Sequence, residues 1–423
     1  MVAMELLAPA GAERDPAGAE GLGQLTGELL DEGTRRSTAE EIARTTDRLG
    51  ESLTTGAGWH VGYASIQVLA QHLDPALELL AEVMTEASFP FEEVERLRRE
   101  QEAELLQRRD RPGLLALDRL SQVLYSGGRY ASPIPGTEAS VRDLRREQIV
   151  EHYRLLYRPG NLALLAVGDF DPTRLLATAE ALLGRGEPST PPPAPGIQPP
   201  AHNEVTVHLV DRPGAAQTEL RMGHASLSRL DPDFVPFLVL NVLLGGKFTS
   251  RINLNLRERH GYTYGASSRL SIRRGPAPFV ISSAVATEST GAAVLEVLRE
   301  MERLQQEPVD PRELEDGRDY LTGVFPYTLQ TLDGVMQRLE SMILYDLPDD
   351  YYDRYRELLG AVERDTILEV ARRHLQPSRM AVVAAGPVDR LRPQFDELAL
   401  GPISITAVPE TAGPSVTARL EEP

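Results

Sequence analysis

A stretch near the middle of the chain returns near its end without a gap. QIVEHYRLLYRPGNLALLAVGDFD, residues 148–171, lies over TILEVARRHLQPSRMAVVAAGPVD, residues 366–389, so that Pro159 meets Pro377, Gly168 meets Gly386 and Asp171 meets Asp389, all 218 positions apart. Each copy reads as a helix, a proline turn, an apolar run with the length of a buried strand, and a second helix. The same spacing sets Pro90, ahead of EEVERLRREQEAELLQRR, against Pro308, ahead of PRELEDGRDYLTGVF, and sets Leu22 and Leu25 against Leu240 and Leu243. A repeat of this period makes the chain two copies of one folding unit.

Between the copies lies EPSTPPPAPGIQPPAHN, residues 187–203. Its prolines fit neither a helix interior nor a central strand and favour an extended linker. The expected organisation is an N-terminal domain over 1–186, a linker over 187–203 and a C-terminal domain over 204–423. Strand candidates are HVGYASIQVL (60–69), EVTVHLV (204–210), QTELRMGHASL (217–227) and FVISSAVA (279–286). Helical segments separate them, which predicts an α+β fold in which each domain is an antiparallel or mixed sheet with helices packed on it.

Composition narrows the chemistry. The chain has no cysteine, so disulfides, thiolate nucleophiles and cysteine-bound zinc are excluded, and a cytoplasmic location is expected. A formal net charge of −19 disfavours nucleic acid as a partner, because phosphate neutralisation needs a basic face. No uncharged apolar run is long enough for a membrane span, and MVAMELLAPAGAERD lacks the basic start of a signal peptide. Of the eight histidines, no two stand four apart on a helix, so no complete histidine zinc site is expected within the chain. LLGGKFTS, residues 243–250, lacks the first glycine of a phosphate-binding loop and reads as a turn into a helix.

Two segments carry polar side chains at spacings that suit chemistry. In GLGQLTGELLDEGT (21–34), Gln24 and Glu28 stand one helical turn apart on one strip. In SRINLNLRERHGYTYGASSRLS (250–271), a helix ends at Gly261 and a strand follows over Tyr262–Leu270. Arg257 and Tyr264 then lie on the two arms of that turn, where a guanidinium and a phenol can hold a carbonyl oxygen or oxyanion. Spacing alone favours a plainer reading, a surface arginine paired with Glu258 and a half-buried strand tyrosine.

Taken in order, GLGQLTGELLDEGT, LYSGGRYASPIPGTEASV, YRPGNLALLAVGDFD, DRPGAAQTEL, NVLLGGKFTSRINLNLRERHGYTYG and RHLQPSRMAVVAAG resemble the pitrilysin/insulinase family of inverted-motif zinc metallopeptidases, relatives of the mitochondrial processing peptidase subunits. Members that cleave peptides carry H-x-x-E-H on the first of these segments, with two histidines and a distal glutamate as zinc ligands and the motif glutamate as base. The resemblance sets Gln24 and Glu28 at the histidine positions, Gly27 at the base and Glu104 at the distal ligand. It therefore implies a degenerate motif that binds no zinc; two carboxylates and an amide remain acceptable ligands for a harder cation.

The family's L-R-E-x-x-G-x-x-Y motif is matched by LRERHGYTY, which implies substrate-holding roles for Arg257 and Tyr264. Some bacterial members divide the zinc motif and this motif between two chains. The resemblance thus implies the non-catalytic subunit of a heterodimeric metallopeptidase, with zinc in a homologous partner and a peptide substrate. The alternative is a scaffold or peptide-binding protein of the same fold with no part in catalysis. Family members have another strand before VAMELLAPAGAERD, so the first sheet is expected to be one strand short or the start trimmed; glycines at Thr55–Gly58 and Gly245–Gly246 would admit a substrate backbone, and the tail after Gly401, which has no landmark, is expected to be flexible.

Overall fold

The computed structural model describes residues 1–50, 52–184, 190–194 and 204–407. Apart from 190–194, the expected linker at 187–203 lies outside the described residues, as does the tail beyond 407.

Strands β1 (Val2–Ala8), β2 (Thr54–Ala57), β3 (Gly62–Val68) and β4 (Ala163–Gly168) form an antiparallel sheet ordered β2-β3-β1-β4. The second sheet contains β5 (Thr206–Asp211), β6 (Gln217–Ala225), β7 (Thr263–Leu270), β8 (Pro278–Ala286), β9 (Ala381–Gly386) and β10 (Ile403–Ala407). Its order is β10-β5-β9-β6-β8-β7, parallel at β10-β5-β9 and antiparallel elsewhere. This is the α+β architecture expected, with one antiparallel and one mixed sheet.

The duplication is visible in the strand order. β3-β1-β4 and β8-β6-β9 are the same three-strand core, and β4 and β9 sit 218 residues apart at both ends. β5 has no counterpart among the described residues of the first half, so the outer edge of β4 carries no strand where β9 carries β5. The tail does not behave as expected throughout: Ile403–Ala407 pairs in parallel with β5. Among the described residues of the first half no strand repeats β10 to reveal it.

Each sheet buries one face against its own helices. Leu77, Leu80 and Met84 of the helix Leu73–Glu86 join Met4, Leu6 and Ile66 in the first core. Val294, Val297 and Met301 of the helix Thr290–Gln306 join Leu220, Met222 and Ile281 in the second. The other faces are covered by exchange. The first-half helix Pro112–Leu124 sets Ala116 and Leu120 against Val383 and Ala385 of the second sheet. The second-half helix Leu332–Tyr345 sets Met336 against Ala3, Leu7 and Leu165 of the first. Each half thus closes the other's core, and the central strands β1 and β9 are buried along their whole length.

Charged contacts reinforce this seam. Arg274 donates to Glu13 at 2.8 Å while Glu13 also meets His60 at 2.6 Å, and the guanidinium of Arg273 lies 4.5 Å from the ring centre of Trp59. The apolar run Phe234–Arg259 has the length and hydropathy of a membrane span. Phe237, Leu240, Leu244 and Ile252 explain it, since all four are fully buried in the second core.

Candidate functional site

The degenerate motif sits on the short helix Leu22–Glu28. A buried carboxylate fixes its start: Asp15 accepts from Gly21 N at 2.9 Å and Gly23 N at 2.8 Å, and takes Arg129 Nη2 at 2.9 Å. The Asp15 side chain is inaccessible and that of Arg129 nearly so, and Arg129 donates onward to Ser132 O and Ile134 O. Gln101, on the helix Phe91–Arg108 that also bears Glu104, donates to Pro135 O at 2.7 Å and lies 3.4 Å from Gly21 O. The two motif helices are therefore tied together through backbone oxygens.

Within this frame Gln24 Nε2 donates to Glu28 Oε1 at 2.7 Å. Burial raises the Glu28 carboxyl above its ordinary pKa, the Gln24 hydrogen bond opposes that rise, and the charge of Glu104 adds to it. Glu104 itself is exposed. Gly27 contributes more than a missing base. A Cβ atom on Gly27 would lie 2.4 Å from the Gly56 carbonyl carbon and oxygen and 2.9 Å from Ala57 N, so β2 occupies the space a side chain would need. The residues present do not fit a zinc ion: an amide stands for one ligand, a carboxylate already engaged by that amide for another, and the base position is closed by backbone.

Among the described residues the one group of three histidines or carboxylates with ligand atoms in mutual range is Asp231, Asp233 and His374. There Asp233 is already paired with Arg373 at 2.8 Å and His374 at 2.7 Å. Restoring the motif tests the closure at Gly27. Gln24→His, Gly27→Glu and Glu28→His together are expected to give no chelator-sensitive cleavage and a lower melting temperature than the two histidine substitutions alone, as read by peptide turnover and thermal unfolding. Zinc-dependent activity from the triple variant would contradict it.

The second segment is built on two backbone irregularities. Leu254–Arg259 is π-helical, with His260 N–H reaching Asn255 O at 3.1 Å, and Arg257 lies within it. Gly261 ends it at φ +66° and Tyr262 N–H returns to Leu256 O at 2.8 Å. On β7 the register passes from Thr263 opposite Val285 to Ala266 opposite Ser283, so Tyr264 and Gly265 together face Ala284 in a β-bulge. Thr263 Oγ1 holds the bulge, lying 2.6 Å from Ala284 O and accepting from Gly265 N at 3.1 Å. Such π-turns and bulges re-aim side chains and cluster at functional sites.

Tyr264 is consequently 90% exposed on the edge strand β7, not the half-buried residue that regular alternation gives. Arg257 meets Glu258 at 3.4 Å, and its guanidinium lies 4.6 Å from the ring centre of Phe248. Phe248 is a neighbour that sequence reasoning missed; the only signal was an aromatic in a glycine turn. Two expected roles for glycine are corrected. Gly245 is buried, and a Cβ there would strike Ser268 Oγ at 2.4 Å, so it admits β7 and not a substrate. Gly56 is buried too, and a Cβ there would meet the Tyr63 hydroxyl at 3.0 Å, so it accommodates that ring. Of the four glycines in these two segments, only Gly58 has open space where a Cβ would stand.

Comparison with known proteins places these features. Residues 1–138 match the family model described as Insulinase (Peptidase family M16), and residues 143–321 match that described as Peptidase M16 inactive domain. A zinc protease of Rickettsia bellii is 24% identical over 75% of this chain and 76% of its own length. The zinc protease YmxG of Bacillus subtilis is 23% identical over 78% and 79%. Among solved structures, a peptidase M16 inactive domain from Pseudomonas fluorescens superposes with a TM-score of 0.83 at 26% identity, covering 91% of this chain and 93% of that one. A protease from Helicobacter pylori superposes at 0.84 with 18% identity over 91% and 94%, a likeness of fold.

Proposed function

The chain belongs to the insulinase family, peptidase family M16, and we propose that within it this is the subunit that binds no zinc and supplies Arg257 and Tyr264 in trans to a homologous zinc-bearing partner for the cleavage of peptides. The observation that carries the reading is the contrast between the two sites. At one, β2 fills the place of the base at Gly27; at the other, Arg257 and the 90% exposed Tyr264 are displayed on a π-turn and a bulge that ordinary packing does not require. The relatives named zinc proteases and the match to an inactive-domain model agree with such a division of labour.

In this account an extended peptide lies along a sheet edge, where main-chain hydrogen bonds accept many sequences. Arg257 and Tyr264 donate to the scissile carbonyl oxygen as it gains charge. The guanidinium offers a planar fork and a permanent charge; the phenol offers a single hydroxyl at ordinary pH. Water activation belongs to the partner, since Gly27 has no group to accept a proton. Location is proposed as cytoplasmic, from the absence of cysteine.

The test is reconstitution: this chain, a family member bearing H-x-x-E-H, and their mixture are assayed for peptide cleavage. Activity confined to the mixture supports the subunit role. A mixture no better than the zinc-bearing chain alone leaves the scaffold reading instead.

A further inference from the structure

Phe248 is a large apolar side chain left 64% exposed, outside both cores, and the group it meets is the Arg257 guanidinium at 4.6 Å from its ring centre. The turn that carries it is not loose. Asn253, only 3% exposed, donates from Nδ2 to Phe248 O at 2.6 Å, while its Oδ1 accepts Ala266 N–H at 3.0 Å. One buried carboxamide thus ties the Phe248 turn to the strand that bears Tyr264. Asn241 braces the same corner from beneath, accepting from Ser268 Oγ at 2.7 Å.

We infer that Phe248 is a positioning residue for Arg257: its ring face holds the guanidinium at a fixed place beside the Tyr264 strand, so the pair is aimed before substrate arrives. The inference rests on the role proposed for Arg257 above. An arginine side chain has many rotamers, and its fork aligns with a developing oxyanion only when most of them are removed. The other contact available, Glu258 at 3.4 Å, joins two exposed groups and restrains little. A cation over an aromatic face is directional and leaves the edge N–H groups free to donate.

Phe248→Leu keeps the volume and removes the π face; Phe248→Tyr keeps the face. In the isolated chain the Arg257 Nε–H resonance, assigned by its loss in Arg257→Lys, is expected to shift in Phe248→Leu and return in Phe248→Tyr. In the reconstituted peptidase Phe248→Leu is expected to lower kcat roughly 2- to 5-fold with little change in KM, Phe248→Tyr to restore it, and Phe248→Leu to have no further effect on an Arg257→Ala background. An equal loss on both backgrounds, or an unmoved resonance, overturns the inference. Undiminished turnover in Arg257→Ala itself overturns the proposed function, and the positioning role with it, even where the resonance moves.

Discussion

Arg257→Ala lowers the turnover of the reconstituted peptidase by about 10²- to 10³-fold, or roughly 2.7 to 4 kcal/mol of transition-state stabilisation, the range for removing one donor aimed at a developing oxyanion. The complex should still assemble, because Arg257 lies in a solvent-facing turn, outside either core. KM should change less than kcat, since the donor is worth most when the carbonyl oxygen carries charge. Arg257→Lys keeps a charge and loses the fork, and is expected to recover only part of the rate. Steady-state kinetics on the variants, with complex formation checked by size-exclusion chromatography, decides the matter. Full turnover in an assembled Arg257→Ala complex removes the residue from the mechanism.

Asp15→Ala destabilises the chain by about 3 to 5 kcal/mol, the range for breaking a buried ion pair and leaving one charge behind. Arg129 would lose the carboxylate it pairs with, and Gly21 N and Gly23 N would lose the acceptor that starts the helix Leu22–Glu28. The loss extends to packing, because that helix carries Gly27 against Gly56 of β2. A reduced urea midpoint measures the effect, and Arg44→Ala, which breaks the exposed Arg44–Glu40 pair, serves as the control that leaves it in place. A midpoint in Asp15→Ala equal to that of the control would show that Asp15 does not organise this end of the fold.

Much of the architecture was legible because a duplication writes itself twice. The ungapped repeat around Pro159 and Pro377 marked the apolar runs that form β4 and β9, and strand alternation found β3, β5, β6 and β8. What escaped has no local signature. β10 has no strong apolar pattern and no copy among the described residues of the first half, and its pairing with β5 is a contact across most of the second half. The exchange of Pro112–Leu124 and Leu332–Tyr345 between halves depends on which sheet each apolar helix face meets, and an amphipathic pattern does not name its partner.

The candidate site was legible in its residue types and not in its geometry. Gln24, Gly27 and Glu28 already spelled a motif without a base, and Gln24 does hydrogen-bond Glu28. That Gly27 is also filled by β2 is a backbone contact between residues 27 and 56, which no spacing rule encodes. For Arg257 and Tyr264, a helix-to-strand turn was readable from Gly261. The π-turn and the bulge break the very periods on which sequence reading depends, so neither the exposure of Tyr264 nor the place of Phe248 beside Arg257 is encoded in spacing.

The central claim is that this chain completes a peptidase it cannot be alone. The most direct measurement is peptide cleavage by this chain, by a partner bearing H-x-x-E-H, and by the two mixed, each with and without a chelator. The account predicts turnover in the mixture well above that of either chain, abolished by chelator. Chelator-sensitive cleavage by this chain alone would contradict the closed site at Gly27, and no gain on mixing would contradict the contribution in trans.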